Sequence, residues 1–389
     1  MKKLKIILLI FLQMKYFIVL LLFVFLFCTQ SNEFDNLVKS NNKVASLFYK
    51  ELRNNDGNIF FSPLSLTINI AMLYRGAGSA MEGNILHFDE EIHESFRNLM
   101  NGRFKNSSIE IANGILFDRK LWINQSYIKD IINYYNPMLA SVNFNADPVK
   151  IQQYINDWVN KKTHHHIKTI ELSTDDQTTL VFLNAVYFKG IWLTQFNKKN
   201  THDDFFQNKN NVTSIKMMKT KGIFRYAFNN EFDLDVLELP YSNDDVSMFI
   251  LMPRNINGME KVENNLSSEL FDQIFCHLTT KSMTIFMPKF SLETSYDMSR
   301  YLEDLNLEGF VYGISNICNC DKLMLDGMFQ KTKLIVDEKG TEAIAVTYSK
   351  VSLSGFQSEI QLKIDRPFLF VIRDSVTGLI LFLGKIENL

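Results

Sequence analysis

The sequence has few cysteines for its length of 389 residues. It contains four, and only Cys276, Cys318 and Cys320 remain if Cys28 is removed with an N-terminal segment. Three cysteines cannot form a closed set of disulfides, and the CNC spacing at 318–320 is too tight for an easy bridge. The fold is therefore expected to depend on its core rather than on disulfides.

Common catalytic motifs are also missing. The sequence has no GxSxG nucleophile elbow, no HExxH zinc motif and no GxxxxGK[ST] phosphate loop. Three consecutive histidines, 164–166, raise the question of a metal site. No acidic or cysteine partner stands at ligand spacing, so a solvated turn is the favoured interpretation. We therefore expect no enzyme, no catalytic residues, no metal and no cofactor.

Neither sign of charge is in excess. The 41 basic and 43 acidic residues give a formal net charge of -2. A nucleic-acid binder normally shows a basic excess, so this class is not expected. Hydrophobic residues make up 46% of the chain, enough for a large core. No internal repeat and no linker rich in Pro, Gly or Ser divides the sequence, which favours a single domain.

The first 31 residues have the pattern of a secretory signal peptide. Lysines at 2, 3, 5 and 15 flank a short apolar run, Tyr16–Cys28, and the small polar residues TQS follow it. The run is shorter than the roughly 20 apolar residues that a membrane span needs. We predict a signal peptide at 1–31, cleavage near 28–31, and a secreted, extracellular mature chain at 32–389 that is not bound to a membrane. Met14 is an alternative start, and an uncleaved anchor from Met1 is an alternative reading.

Secretion predicts N-linked glycans, which would make the protein a glycoprotein. Four sequons of the form N-x-[ST] are present. They stand at Asn106, Asn124, Asn211 and Asn265.

Helical patterns come early in the chain and strand patterns come late. The segment 147–162 places apolar residues at i, i+3, i+4, i+7 and i+8, which predicts an amphipathic helix, and 33–52 has the same character. The segment 179–190 is almost continuously apolar around one asparagine, which is typical of a strand buried on both faces. This order predicts an α+β fold.

A long loop separates two strand patterns near the C-terminus. Its first part, DEKGTEAIAVT at 337–347, resembles the reactive-centre hinge of serpins, the serine-protease-inhibitor family. Segments at 58–73, 184–196, 237–253 and 287–298 also match the family in order and spacing. The resemblance implies a single-domain serpin fold with three β-sheets, about nine helices and an exposed reactive-centre loop at about 338–359.

The hinge alternates small and larger side chains. In serpins, the family that this segment resembles, the reactive-centre loop inserts into the main β-sheet after cleavage. Because a strand alternates faces with period two, one face of the hinge carries only small uncharged side chains, while the opposite face carries larger side chains. Gly340 supplies backbone freedom where the loop turns over. The hinge comprises Glu338, Gly340, Thr341, Glu342, Ala343, Ile344, Ala345, Val346 and Thr347.

The resemblance also implies a polar cluster beneath the point where the main sheet opens. Ser62, Ser65 and Asn184 match this cluster, and Gln330 stands where the family usually has histidine. Lys289 matches the lysine that pairs with the hinge glutamate, Glu338. Trp192 matches the tryptophan at the top of the opening.

The implied function is suicide-substrate inhibition of a serine protease, through a covalent complex and as a monomer. Counting roughly sixteen residues beyond the hinge glutamate places the scissile bond at Ser354–Gly355, with Leu353 and Phe356 as alternatives. No arginine is nearby, so an elastase-, chymotrypsin- or cathepsin-G-like target is expected. The segment 90–105 is mixed in charge, and heparin binding is not predicted.

A non-inhibitory serpin, acting as a carrier or a chaperone-like binding protein, is the alternative function. Gln330 and the bulky Ile344 and Val346 motivate it, since all three depart from what is usual in the family.

Overall fold

The structure is a computed structural model that describes residues 34–77, 86–105, 108–145, 148–242, 245–320, 323–340 and 360–389. Residues Asn36–Leu389 form one compact unit. The described residues contain eight α-helices and fourteen strands, with helices concentrated in the first half and strands in the second. The predicted α+β class is confirmed. No helix among these residues has both the length and the apolar character needed to cross a lipid bilayer.

The helices lie close to where the apolar patterns predict them. The segment predicted at 33–52 forms a helix over Asp35–Leu52, and that at 147–162 forms one over Pro148–Lys162. A π-helical turn, Leu99–Arg103, extends the third helix. The helices are α1 (Asp35–Leu52), α2 (Pro63–Gly76), α3 (Glu91–Asn98), α4 (Gln125–Tyr135), α5 (Pro148–Lys162), α6 (Met259–Asn264), α7 (Ser268–Phe275) and α8 (Gly309–Tyr312).

The strands form a nine-stranded and a five-stranded sheet. They are β1 (Ile59–Phe61), β2 (Ile109–Asp118), β3 (Met138–Val142), β4 (Leu180–Phe188), β5 (His202–Gln207), β6 (Val212–Asn229), β7 (Leu234–Pro240), β8 (Val246–Pro253), β9 (Thr279–Pro288), β10 (Phe290–Asp297), β11 (Gly327–Val336), β12 (Ile360–Lys363), β13 (Phe368–Asp374) and β14 (Ile380–Ile386). The first sheet has the order β1-β14-β13-β8-β7-β6-β9-β12, with β5 also paired to β6; the second has the order β10-β11-β4-β2-β3.

Helix α2 is buried along most of its length because it packs against strands of both sheets, β4 and β14. It begins at Pro63, where the fixed φ of proline suits the first helical position. The hydroxyl of Ser62 caps it by accepting a hydrogen bond from the backbone N–H of Ser65. The polar residues at this N-terminus are therefore held under the five-stranded sheet.

Helix α5 covers the other face of the five-stranded sheet. Its Ile155 and Val159 are fully buried against Val181, Leu183 and other side chains of β2 and β4. All nine residues of β4 are buried, as its continuous apolar run predicts. The sheet therefore lies between α2 on one face and α5 on the other.

The number of sheets differs from the three that the resemblance implied, although the fold is otherwise as expected. The 18-residue strand β6 pairs with β5 and β9 over its first part and with β7 at its far end. Two of the expected sheets are therefore continuous through β6, and the described residues contain eight α-helices rather than about nine.

The prediction about the CNC segment is wrong. The structure joins Cys318 to Cys320 in a disulfide, and their Cα atoms are 5.4 Å apart, within the usual range for bridged cysteines. The backbone bends at the intervening residue, Asn319, and this brings the two cysteines together. Cys276 is free and exposed.

Candidate functional site

The central feature of the five-stranded sheet is the parallel pairing of β4 with β11. Eight residue pairs run from Val181 with Gly327 to Phe188 with Leu334. The neighbouring pairs of β10 with β11 and of β2 with β4 are antiparallel. We call this parallel boundary the seam. Parallel pairing is slightly less stable per residue than antiparallel pairing, so the seam is weaker per residue than the two antiparallel pairings beside it.

The side chain of Gln330 fastens β11 to α2 beneath the seam. Its Oε1 accepts from the backbone N–H of Ser62 at 3.0 Å, and its Nε2 donates to the carbonyl of Ser62 at 3.0 Å and to Oγ of Ser65 at 2.9 Å. Gln330 is 1% exposed, so these groups have little access to water. Burial makes the hydrogen bonds obligatory.

Asn184 fastens β4 to the same helix. It is the register partner of Gln330 across the seam. Its Oδ1 accepts from the hydroxyl of Ser65 at 2.6 Å, and its Nδ2 donates to Oδ1 of Asn113 on β2 at 2.6 Å. The hydroxyl of Ser65 therefore bridges the two strands of the seam, and Ser62, Ser65, Asn184 and Gln330 form one connected cluster, as predicted.

The sequence reasoning missed one member of this network, Asn113, which joins it from β2. It also missed a separate pair of threonines on the neighbouring strands, Thr294 on β10 and Thr332 on β11. The hydroxyls of Thr294 and Thr332 are 2.7 Å apart, and both donate to the carbonyl of Phe60. Alternating polar positions inside apolar strands were the only available signal, and they are not specific enough to predict which residues meet.

Glu338 lies just beyond the end of β11 and is nearly buried, at 6% exposure. Its carboxylate accepts from Nζ of Lys289 at 2.9 Å, as predicted, and from the hydroxyl of Thr201 at 2.9 Å, which was not predicted. Burial raises the pKa of Glu338, but the hydrogen bonds from Lys289, the backbone and Thr201 outweigh it. The net pKa is below the usual range, so the carboxylate is charged at neutral pH.

Trp192 holds the same end of the seam through its backbone and its side chain. Its indole N–H donates to the carbonyl of Asp337 at 3.0 Å, and its backbone N–H donates to the carbonyl of Lys339 at 3.1 Å. Its ring stacks on Tyr241 with centroids 4.4 Å apart. The residues that precede the loop are therefore pinned to the segment that follows β4.

Gly340 has a backbone conformation that residues with a side chain rarely adopt. Its φ is +129°, and a Cβ atom there would lie 2.2 Å from the carbonyl oxygen of Gly190. The prediction that glycine is needed at this turn therefore has a steric reason in the close approach of two backbones.

The rest of the hinge and the candidate cleavage sites lie outside the described residues. These are Thr341, Glu342, Ala343, Ile344, Ala345, Val346, Thr347, Leu353, Ser354, Gly355 and Phe356. The described residues fix the two attachments of this segment: β11 ends at Val336, and β12 begins at Ile360 in the other sheet.

Three of the four sequons lie in the described residues. Asn211 and Asn265 are exposed. Asn124 is partly buried, and its Nδ2 donates to the carbonyl of Asn316 at 2.7 Å. Asn106 and the predicted signal peptide, 1–31, lie outside the described residues.

Comparison with known proteins identifies the family. Residues 39–389 match the family model described as Serpin (serine protease inhibitor). The chain belongs to the serpin family. The seam, the cluster beneath it and the pinned start of the long loop are therefore features of a serpin, and the resemblance seen in the sequence is confirmed.

This serpin is similar to relatives over nearly their whole lengths. It is 32% identical to Serpin B12 of Homo sapiens, with 90% of this chain and 99% of that protein covered. It is 32% identical to the leukocyte elastase inhibitor of Equus caballus, with 91% and 100% covered. Among solved structures, human thyroxine-binding globulin superposes with a TM-score of 0.83 at 26% identity, covering 92% of this chain and 99% of that one.

Proposed function

We propose that this serpin is a suicide-substrate inhibitor of serine proteases. The observation that carries the proposal is the seam, which has a long loop attached at one end. A strand formed by residues 341–354 would fold back from β11 and lie antiparallel to both β4 and β11. One parallel pairing would then be replaced by two antiparallel pairings, which favours insertion.

The reaction begins with the protease and ends with its distortion. The serine of the protease attacks the carbonyl carbon of the scissile residue, the peptide bond breaks, and the new amino terminus leaves with the proton taken by the protease base. The protease stays bound as an acyl-enzyme ester. Insertion of the loop then moves the protease away from its docking position before water hydrolyses the ester.

The hinge sequence supports insertion through its alternating face. Thr341, Ala343, Ala345 and Thr347 would be buried on the side of α2, where the described seam residues Gln330 and Asn184 also point. Small uncharged side chains can be buried there without a clash or an unpaired charge.

The target class is proposed from the candidate cleavage site. The bond Ser354–Gly355, with Leu353 and Phe356 as alternatives, has only Lys350 as a basic neighbour. An elastase-, chymotrypsin- or cathepsin-G-like protease fits such a site better than a trypsin-like one. The relative from Equus caballus is named a leukocyte elastase inhibitor, which agrees with this choice.

Secretion and glycosylation are proposed on the sequence of the N-terminus and on the exposure of two sequons, Asn211 and Asn265. Expression in a secretory eukaryotic cell, N-terminal sequencing of the medium and removal of glycans by a glycosidase test both statements. An intact Met1 on membrane-bound protein would support the uncleaved anchor instead.

The test of function mixes the purified protein with elastase, chymotrypsin, cathepsin G, trypsin and thrombin. A complex that survives denaturing electrophoresis, with a released peptide beginning at Gly355, is the expected result. Thr341→Arg should turn inhibitor into substrate, because burying an unpaired charge costs several kcal/mol. Glu342→Arg, on the opposite face of the hinge, is the matched control and should still inhibit. Equal stoichiometry of inhibition in both variants would contradict the insertion mechanism.

A non-inhibitory carrier is the second candidate function. The thyroxine-binding globulin structure, whose name states a binding function, shares the fold at 26% identity. Gln330 replaces the usual histidine in the cluster, and Ile344 and Val346 are bulky. If the loop is cleaved by every protease without forming a complex, and the cleaved protein melts at the same temperature as the intact one, this candidate is favoured.

A further inference from the structure

The turn after α5 lies against the five-stranded sheet, at the end of the seam from which the loop departs. It contains the three consecutive histidines that the sequence singled out. The ring of His166 stacks on the ring of Tyr187 in β4, with centroids 3.9 Å apart and planes 14° from parallel. Nδ1 of His164 lies 2.8 Å from Oε1 of Glu110 in β2. The turn is therefore attached to two neighbouring strands of the sheet.

The middle histidine has a different partner. Nδ1 of His165 lies 3.2 Å from Oδ1 of Asn160, which belongs to α5 itself. His164 and His165 both have positive φ values, 45° and 68°. The chain reverses tightly at these two residues. As a result, His165 contacts α5, whereas His164 and His166 contact strands of the sheet.

His166 stacks on Tyr187, which lies near the end of the seam where an inserting strand would enter. Tyr187 is the register partner of Lys333 in β11, and in the β4–β11 ladder only the pair of Phe188 with Leu334 lies between it and the contacts of Trp192 with Asp337 and Lys339. Lys333 in turn binds Glu293 of β10 at 3.0 Å. A strand that enters from the loop must separate Tyr187 from Lys333 almost at once.

We propose that His166 is a gating residue for loop insertion: stacked on Tyr187, it holds the turn over the loop end of the seam, and protonation of its ring releases the turn. This inference rests on the proposed inhibitory function, because it assigns a control to the insertion step of that function.

The charges around His166 set the direction of the pH effect. The groups that face it are Glu110 on β2, Lys189 after β4, Lys333 on β11 and His164 in the same turn. Burial lowers the pKa of His166, Glu110 opposes this, and the two lysines and His164 lower the pKa further. The net pKa lies below the usual 6.5.

The sign of the effect follows from linkage. A released ring in water has the ordinary pKa and takes up a proton more readily than the stacked ring. The stacked arrangement is therefore fully favoured above about pH 6.5 and loses its advantage as the pH falls below that value. Acid should open the gate and speed insertion.

The experiment measures insertion without a protease. A synthetic peptide with the sequence of residues 341–354 is mixed with the full-length protein, and its annealing into the sheet is followed on native gels at pH 7.5 and pH 5.5. We expect annealing of the unmodified protein to be faster at the lower pH, by at most about tenfold, because pH 5.5 lies one unit below the ordinary histidine pKa of about 6.5. His166→Phe keeps a ring on Tyr187 but cannot titrate, and should show the same rate at both pH values.

His165→Asn is the matched control, because it removes the histidine that pairs with Asn160 of α5 and places a residue that tolerates positive φ. It should retain the full pH effect. Hydrogen exchange of the backbone amides of residues 163–167, corrected for intrinsic rates, should show less protection at pH 5.5 than at pH 7.5 in the unmodified protein and no change in His166→Phe.

The possible outcomes distinguish failure of the His166 gate from failure of the proposed inhibitory function. If the peptide anneals equally fast at both pH values, or if His166→Phe keeps the pH effect, the gate is overturned while insertion stands. If the peptide anneals at neither pH and no protease forms a stable complex, the proposed function fails and the gate fails with it.

Discussion

Replacing Gln330 with alanine should weaken the attachment of β11 to α2 by an amount that the structure allows to be worked out. The side chain makes three buried hydrogen bonds, two to the backbone of Ser62 and one to Ser65. Each is worth about 1 kcal/mol net, and the small cavity left by the shortened side chain adds to the loss. We expect Gln330→Ala to lower the free energy of unfolding by about 3 to 4 kcal/mol.

Urea unfolding of the intact protein, followed by tryptophan fluorescence, measures this loss as a shift of the midpoint at constant slope. Gln273→Ala is the matched control, because it removes an exposed amide on α7 and should change the stability by less than about 0.5 kcal/mol. A loss below about 1 kcal/mol for Gln330→Ala would refute the reasoning that this buried amide fastens the strand to the helix.

Three other predictions concern the same part of the molecule. Gly340→Ala should lower the melting temperature of the intact protein, because the new Cβ would lie 2.2 Å from the carbonyl oxygen of Gly190; an unchanged melting curve would mean that the two backbones separate without cost. The depressed pKa of Glu338 means that its ion pair with Lys289 contributes stability above the usual 4.5, which is lost as the pH falls through the lower native value. Unfolding midpoints from about pH 5 to about pH 3 should therefore fall more in the unmodified protein than in Glu338→Gln, and parallel curves would contradict this. Gln330→His should make stability pH-dependent, since burial lowers the pKa of an imidazole and the stability it contributes is lost as the pH falls below about 6.5; differential scanning calorimetry at pH 7.5 and pH 5.5 checks it.

Local patterns gave most of the elements of the fold. The apolar stripe of α5 and the continuous apolar run of β4 lie within two residues of their predicted bounds. Their type follows from short-range physics, because a helix and a two-sided strand place apolar residues at different spacings. The number of sheets did not follow, since β6 continues from one pairing to another, and that depends on which distant strands it meets.

The disulfide shows that the spacing of cysteines in the sequence does not by itself predict their pairing. A separation of two residues in sequence favoured free cysteines, yet the bend at Cys318–Cys320 brings their Cα atoms to 5.4 Å. Spacing along the chain bounds the distance between two residues but does not fix it. The local backbone conformation decides whether the bridge can form.

Some residues of the candidate site were predicted from the sequence, and others were not. The family resemblance named Ser62, Ser65, Asn184 and Gln330, and the structure joins them in one network. It also paired Lys289 with Glu338 correctly. Partners with weaker sequence signals, such as Thr201 at the carboxylate of Glu338, were missed because a single threonine in a polar segment indicates nothing about its neighbours.

The sequence by itself determined the α+β class and the serpin resemblance, and it predicted the turn that needs a glycine at position 340. These are properties of residue order, because periodicity, small side chains and turn preferences are local. Only the tertiary structure decided that β4 and β11 run parallel, that one serine hydroxyl bridges the polar residues of both strands, and that His166 lies on Tyr187 at the end of the seam. Those contacts join residues far apart in the chain, and packing and hydrogen bonding in the folded molecule bring them together.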